Sequence, residues 1–195
     1  MSEVKCILLV GVGGQGTILM SKILSIGLME MGFDVKMSEI HGMSQRGGSV
    51  TTQIKYGDKI FAPNIGAGEA DVIVAFEKAE ALRTLPYLKK GGRIIMDDRE
   101  IFPTSVLTGV QEYPHNTVEL LKAAGPKVTV VPAAEIAQKL GNIRVQNIVL
   151  LGALIQELDL PDVNWKRLVS GNVPQKALEL NLVAFEKGRS IAMCV

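Results

Sequence analysis

The sequence predicts an α/β fold: Rossmann-like, with a mainly parallel sheet, helices on both faces, an early β-hairpin and a helical C-terminal extension. Three observations predict it. An unbroken apolar run, Val4–Val10, leads into Gly11-Val12-Gly13-Gly14-Gln15-Gly16-Thr17 and then into a helical pattern. Short apolar segments then alternate with helical ones through most of the chain. A late segment, Ile148–Ile155, is apolar nearly all round, as a helix is when it is buried in the core or against a partner.

In chain order, Val4–Val10 reads as a central strand because its apolar run is continuous rather than alternating. Ile18–Met31 reads as a helix stopped by Gly32. Val35–Glu39 is the second strand, followed by a glycine- and serine-rich loop from Ile40 to Gly48. Ser49–Tyr56 and Lys59–Ala62 flank Gly57-Asp58, a turn pair that predicts a hairpin. Asp71–Phe76 is a strand, Glu77–Lys90 a helical stretch containing Pro86, and Arg93–Asp97 a strand after Gly91-Gly92. Lys127–Val131 is a further strand, and Ala133–Leu140 and Gln146–Glu157 are helices. Trp165–Ile191 reads as two short helices separated near Gly171–Pro174. With 195 residues and no internal repeat, linker or low-complexity tract, the chain 1–195 is expected to form one domain.

Composition narrows the function. The net charge is +1 and 5% of residues are aromatic, which argues against a nucleic-acid partner. No segment has the ~18 uninterrupted apolar residues of a membrane span, and the glycine run interrupts the only stretch that resembles a signal peptide. The two cysteines, Cys6 and Cys194, are too few and too far apart to ligate a zinc ion or an iron–sulfur cluster. No disulfide framework is implied, and a cytoplasmic location is the simplest expectation.

Gly11, Gly13 and Gly16 fit the spacing G-x-G-x-x-G. That spacing between a strand and a helix brings free backbone N–H groups and a helix dipole to one point, where an anion binds. A dinucleotide needs in addition an acid at the end of the second strand, and Glu39 stands there. A P-loop is rejected because its lysine is missing, and a methyltransferase because no acid precedes Gly11. A purely structural role, close packing of strand on helix, accounts for the same glycines. The loop after the second strand, His41-Gly42-Met43-Ser44-Gln45-Arg46-Gly47-Gly48-Ser49, combines a cation, an amide, hydroxyls and glycines. Loops at the carboxyl ends of parallel strands are where open α/β sheets bind ligands, and Arg46 suits a carboxylate or phosphate. A solvated turn fits that composition equally well. His41 reads as a loop hydrogen-bonding group rather than an acid or base, and Asn147 as a structural amide.

Gly11-x-Gly13-Gly14-Gln15-Gly16 followed by Ser44-Gln45-Arg46-Gly47-Gly48-Ser49 resembles the gamma subunit or gamma domain of 2-oxoacid:ferredoxin oxidoreductases. Ala70-Asp71-Val72-Ile73-Val74-Ala75-Phe76-Glu77, with Glu80-Ala81-Leu82-Arg83 and Tyr87-Leu88, is similar to that family as well. So are Asn147-Ile148-Val149-Leu150-Leu151-Gly152-Ala153 and Asn181-Leu182-Val183-Ala184-Phe185-Glu186-Lys187-Gly188. The resemblance covers nearly the whole chain. The wording Met43-Ser44-Gln45-Arg46-Gly47-Gly48 is most similar to the branch of indolepyruvate:ferredoxin oxidoreductase beta subunits, which are built on the same domain.

The resemblance implies a subunit of a complex that decarboxylates a 2-oxoacid on thiamine diphosphate. Electrons pass through iron–sulfur clusters to ferredoxin, and the acyl group goes to coenzyme A. An aryl pyruvate such as indolepyruvate is the implied substrate, with pyruvate, 2-oxoglutarate and branched-chain oxoacids left open. The chain itself lacks a G-D-G…N thiamine-diphosphate motif and any cysteine cluster, so those cofactors are expected in partner subunits. Neither a catalytic nor a metal-ligating residue is assigned to it. The expectation is that the two loops meet at the carboxyl edge of the sheet and form a surface that faces the catalytic subunit and cradles coenzyme A. Gly11, Gly13, Gly14, Gln15, Gly16, Thr17, Glu39, Ser44, Gln45, Arg46, Gly47, Gly48 and Ser49 are the candidate residues. Gly13, Gly14 and Gly16 would present N–H donors, the helix starting at Thr17 its dipole, and Arg46 its charge. Two other classes stay open: a stand-alone nicotinamide-dependent enzyme and a non-catalytic nucleotide-binding module.

Overall fold

A computed structural model describes residues 3–42, 48–158, 160 and 163–192. Six strands form one sheet in the order β2-β3-β1-β4-β5-β6. They are β1 (Lys5–Val12), β2 (Asp34–His41), β3 (Ser49–Gly57), β4 (Ala70–Ala75), β5 (Leu88–Asp97) and β6 (Lys127–Val131). β1, β4, β5 and β6 pair in parallel, and β3 runs antiparallel to both β1 and β2. The helices are α1 (Thr17–Glu30), α2 (Lys78–Thr84), α3 (Thr104–Leu107), α4 (Thr117–Ala123), α5 (Ala133–Lys139), α6 (Gln146–Leu158), α7 (Trp165–Asn172) and α8 (Leu178–Ala192).

Strand alternation divides the core in two. Ile7 and Leu9 of β1, Val72 and Val74 of β4, and Ile95 of β5 face α1, α5, α6, α7 and α8. Leu8 and Val10, Ile73 and Ala75, and Ile94 and Met96 face α2 and α4. Helices thus cover both faces, which is why β1 and β4 read as unbroken apolar runs. α6 is buried from Gln146 to Ile155 within this chain, so no partner is needed to cover it. It lies against α8 so closely that a Cβ on Gly188 would come within 1.9 Å of the Val149 carbonyl oxygen, and one on Gly152 within 2.2 Å of that of Phe185. These two glycines let the helix backbones touch.

The hairpin is displaced from its expected place. Ser49–Gly57 is a strand, but residues 59–62 are not. The antiparallel partner of β3 is β2, which precedes it in the chain. With β1 on its other edge, β3 has no free side for a strand after Gly57. The chain instead crosses the end of the sheet, held by N–H donation from Ile60 to Asp34 Oδ2 (2.8 Å) and from Ile65 to Gln53 Oε1 (2.6 Å). The helical stretch expected to reach Lys90 ends earlier. Pro86 lies in a single 3₁₀ turn after α2, and β5 begins at Leu88. Between Leu88 and Arg93 the strand slips register against β4. Of the two C-terminal helices, α8 is long, at 15 residues.

The α6–α8 contact gives a clear test. Gly188→Ala is expected to cost about 3 kcal/mol and lower Tm by roughly 5–10 °C in a thermal melt. Gly171→Ala, in α7 with open space around it, is expected to raise Tm by about 1–2 °C. Equal effects of the two would contradict the packing.

Candidate functional site

The carboxyl ends of β1, β4 and β5 converge on the glycine run. β1 ends at Val12, and the chain turns through residues 13–16 into α1. The Gln15 side chain folds back under the turn. Its Oε1 accepts from the Val12 N–H (2.6 Å) and its Nε2 donates to the Phe76 carbonyl (2.8 Å). Gly11 is glycine because this amide lies across it: an added Cβ would meet Gln15 Oε1 at 2.7 Å and Phe76 Cβ at 2.9 Å. Gly16 caps α1 in the left-handed region (φ +83°) and packs on Asn147, whose Nδ2 donates to the Gly16 carbonyl (3.1 Å). Asn147 therefore positions the helix start.

Gly48 adjoins the glycine run, and Gly42 lies beside Ser49. Gly13 N–H donates to the Gly48 carbonyl (3.1 Å), and Gly42 N–H to that of Ser49 (2.8 Å). Ser49 Oγ donates to Glu80 Oε2 (2.6 Å) and accepts from Arg83 Nη2 (2.5 Å). Gly13 thus uses its N–H within the fold. Gly14 and Gly16 keep theirs free of any acceptor among the described residues. Thr17 is buried as the first residue of α1. Ser44, Gln45, Arg46 and Gly47 lie outside the described residues.

Glu39 does not join them. β3 stands between β2 and β1, so Glu39 is two strands away, about 10 Å, and the register places it level with Leu9 rather than with the strand end. Its carboxylate lies 3.5 Å from His41 Nε2. A dinucleotide site needs that acid on the strand next to β1, so the Rossmann ribose contact is not formed here.

Sequence reading missed the wall opposite the 42–49 loop. A cleft of about 370 Å³ is lined by Gly13, Gly14 and Gln15 on one side and by Arg99, Ile101, Arg144 and Gln146 among others on the other. Two buried carboxylates stand behind this wall, and Glu77 bonds it directly through Ile101. Glu77, at the end of β4, accepts from the Tyr113 hydroxyl, the Ile101 N–H (3.2 Å) and the Glu80 N–H (3.0 Å). Burial pushes its carboxyl above the usual range despite those bonds. Asp97, at the end of β5, accepts from the Ala134 N–H (3.1 Å and 3.2 Å to its two oxygens). Burial raises it to about 6, opposed by its backbone hydrogen bonds. The one signal in sequence was an acid at the end of each strand, Glu77 and Asp97; nothing tied Arg99 or Arg144 to the glycine run.

Known proteins share this chain's sequence pattern and fold. The family described as pyruvate ferredoxin/flavodoxin oxidoreductase matches residues 6–191. The indolepyruvate oxidoreductase subunit IorB of Thermococcus kodakarensis is 38% identical over 189 residues, covering 93% of this chain and 93% of that protein. The gamma subunit of a keto/oxoacid ferredoxin oxidoreductase from Geobacter sulfurreducens superposes with TM-score 0.72 at 25% identity, over 98% of this chain and 99% of that one. A 2-oxoglutarate:ferredoxin oxidoreductase from Magnetococcus marinus, solved with 2-oxoglutarate, coenzyme A and succinyl-CoA bound, shares the fold at TM-score 0.78 and 21% identity. This chain is covered completely there, but only 32% of that longer chain is.

Asp97, which ties the end of β5 to the start of α5, makes the fold's stability pH-dependent. In an unfolded chain it titrates near pH ~4, and in the fold near about 6. Between those values the folded state holds more protons, so the group's contribution to stability falls as pH rises. Thermal melts from pH 4 to 7 are expected to show the wild type losing stability relative to Asp97→Asn, mostly below about pH 6. Parallel curves would contradict this.

Proposed function

This chain belongs to the pyruvate ferredoxin/flavodoxin oxidoreductase family, and from that premise we propose that it is the accessory, gamma-type subunit of a 2-oxoacid:ferredoxin oxidoreductase, with an aryl pyruvate such as indolepyruvate as substrate. It works in the cytoplasm beside catalytic subunits, 1–195 forming one gamma-type domain. Thiamine diphosphate and the iron–sulfur clusters supply the decarboxylation and electron-transfer chemistry from those partners. The residues of this chain do not fit an iron–sulfur cluster: Cys6 is buried in β1, and two cysteines give no ligand set; its sequence also lacks the G-D-G…N pattern of a thiamine-diphosphate site.

Coenzyme A does fit. The observation that carries the reading is the carboxyl edge of the sheet. There a rigid glycine turn presents the Gly14 and Gly16 N–H groups beside the start of a 14-residue helix. Free amides at a helix N-terminus favour phosphate. Arg46, which lies outside the described residues, is the proposed source of positive charge for the phosphate. The chain's own residues bind and orient; they move no proton in the reaction. The displacement of Glu39 from β1 weighs against a nicotinamide enzyme.

Anaerobic purification of the chain from its natural source tests this. It is expected to co-elute in fixed ratio with a brown protein carrying thiamine diphosphate and iron–sulfur clusters, and Arg46→Ala is expected to weaken coenzyme A binding by about tenfold. A colourless chain that runs alone and reduces NAD would overturn the reading.

A further inference from the structure

The cleft on the far side of the glycine run holds more anion-binding chemistry than the coenzyme A reading uses. Its lining carries two guanidinium groups, Arg99 and Arg144, and no carboxylate. Arg144 is exposed, and its guanidinium makes no bond to a described residue. Arg99 is half-buried and donates through Nη1 to Gln146 Oε1 (2.9 Å). That bond fixes the Gln146 amide, so its Nε2 is turned away from Arg99.

Gln146 is 1% exposed, and Nε2 finds no acceptor among the described residues. A buried amide donor without an acceptor is costly, and native folds rarely keep one without a reason. Here it lines a cleft with two cations and with Gly14, whose N–H is also free. Ile101 and Ile143 give the same cleft an apolar flank, suited to the organic part of a ligand.

We propose that Arg99, Arg144, Gln146 and Gly14 form a phosphate-recognition site for the diphosphate or phosphate ester of a nucleotide-type ligand. Arg99 and Arg144 supply charge, and Gly14, whose N–H has no acceptor among the described residues, lines the same cleft. Gln146 acts through its bond to Arg99, as a positioning residue. Phosphate suits this set better than a carboxylate does, because a tetrahedral anion accepts from donors on several sides. The inference rests on the proposed subunit role only for the identity of the ligand. Its chemistry could come from coenzyme A or from a free adenine nucleotide.

Isothermal titration of the full chain with inorganic pyrophosphate tests the site. The wild type is expected to bind it in the millimolar range. Arg144→Gln and Arg99→Gln should each weaken binding about tenfold, Arg99→Lys less so, and Arg167→Gln, on α7 and paired with Glu30 away from the cleft, not at all. Arg144 is exposed, so Arg144→Gln should keep the wild-type Tm and separate lost recognition from lost folding. No saturable binding by the wild type, or equal binding by Arg144→Gln, would overturn the site. Displacement of pyrophosphate by coenzyme A would support the site and name its source. Displacement by ADP but not by coenzyme A would support the site and count against the coenzyme A reading. Displacement by neither would overturn the assignment to a nucleotide-type ligand. Coenzyme A bound with the same affinity by wild type and Arg144→Gln would overturn the site and leave the subunit reading standing.

Discussion

The buried amide of Gln15 holds the functional edge of this protein together. One side chain satisfies the last N–H of β1 and the carbonyl that follows β4, and so ties two neighbouring parallel strands to the turn between β1 and α1. Without it, two backbone groups in the core would lose their partners, at about 1–3 kcal/mol each. The glycines around it follow from that bridge. Gly11 leaves room for the amide, and Gly16 takes the left-handed conformation that lets α1 start against Asn147. The result is a turn whose shape is set from inside, with its free N–H groups outward.

The antiparallel strand β3 gives this edge its particular use. In a plain dinucleotide fold the second strand lies beside the first and brings an acid to the glycine turn. Here β3 takes that place, and its first residue, Ser49, with Gly48 just before it, reaches the turn instead. The neighbour of the glycine turn is then a loop clamped by Glu80 and Arg83, not a ribose-binding acid. The same turn has a second neighbour on its other side, where Arg99 and Arg144 stand. An edge built this way gathers two arginines and backbone donors on one chain.

Much of this was legible from residues alone, for physical reasons. β1, the glycine run and α1 follow from an apolar run, a turn that demands small residues and a helical period. β6 and α6 are bounded by clear composition changes and were placed within one residue. The hairpin was misplaced because Gly57-Asp58 has good turn chemistry, while the partner of β3 is decided by which sheet edge is free. α3 and α4 are short, and α4 is held by a few contacts such as buried Leu121, so periodicity had little to act on. Arg99, Arg144 and Gln146 were invisible as a site because they are brought to the glycine turn by β5 and α6, more than 80 residues downstream. The candidate residues on the glycine run and at Gly48 and Ser49 come together, and Glu39 does not.

Amide hydrogen exchange on the free chain, read residue by residue by NMR, tests most directly whether the turn is set from inside. The Val12 and Gly13 amides, bonded to Gln15 and Gly48, are expected to be protected. Those of Gly14 and Gly16, without acceptors, are expected to exchange rapidly, and in Gln15→Leu protection at Val12 should vanish. Val12 and Gly13 exchanging as fast as Gly14 in the wild type would contradict a preformed turn.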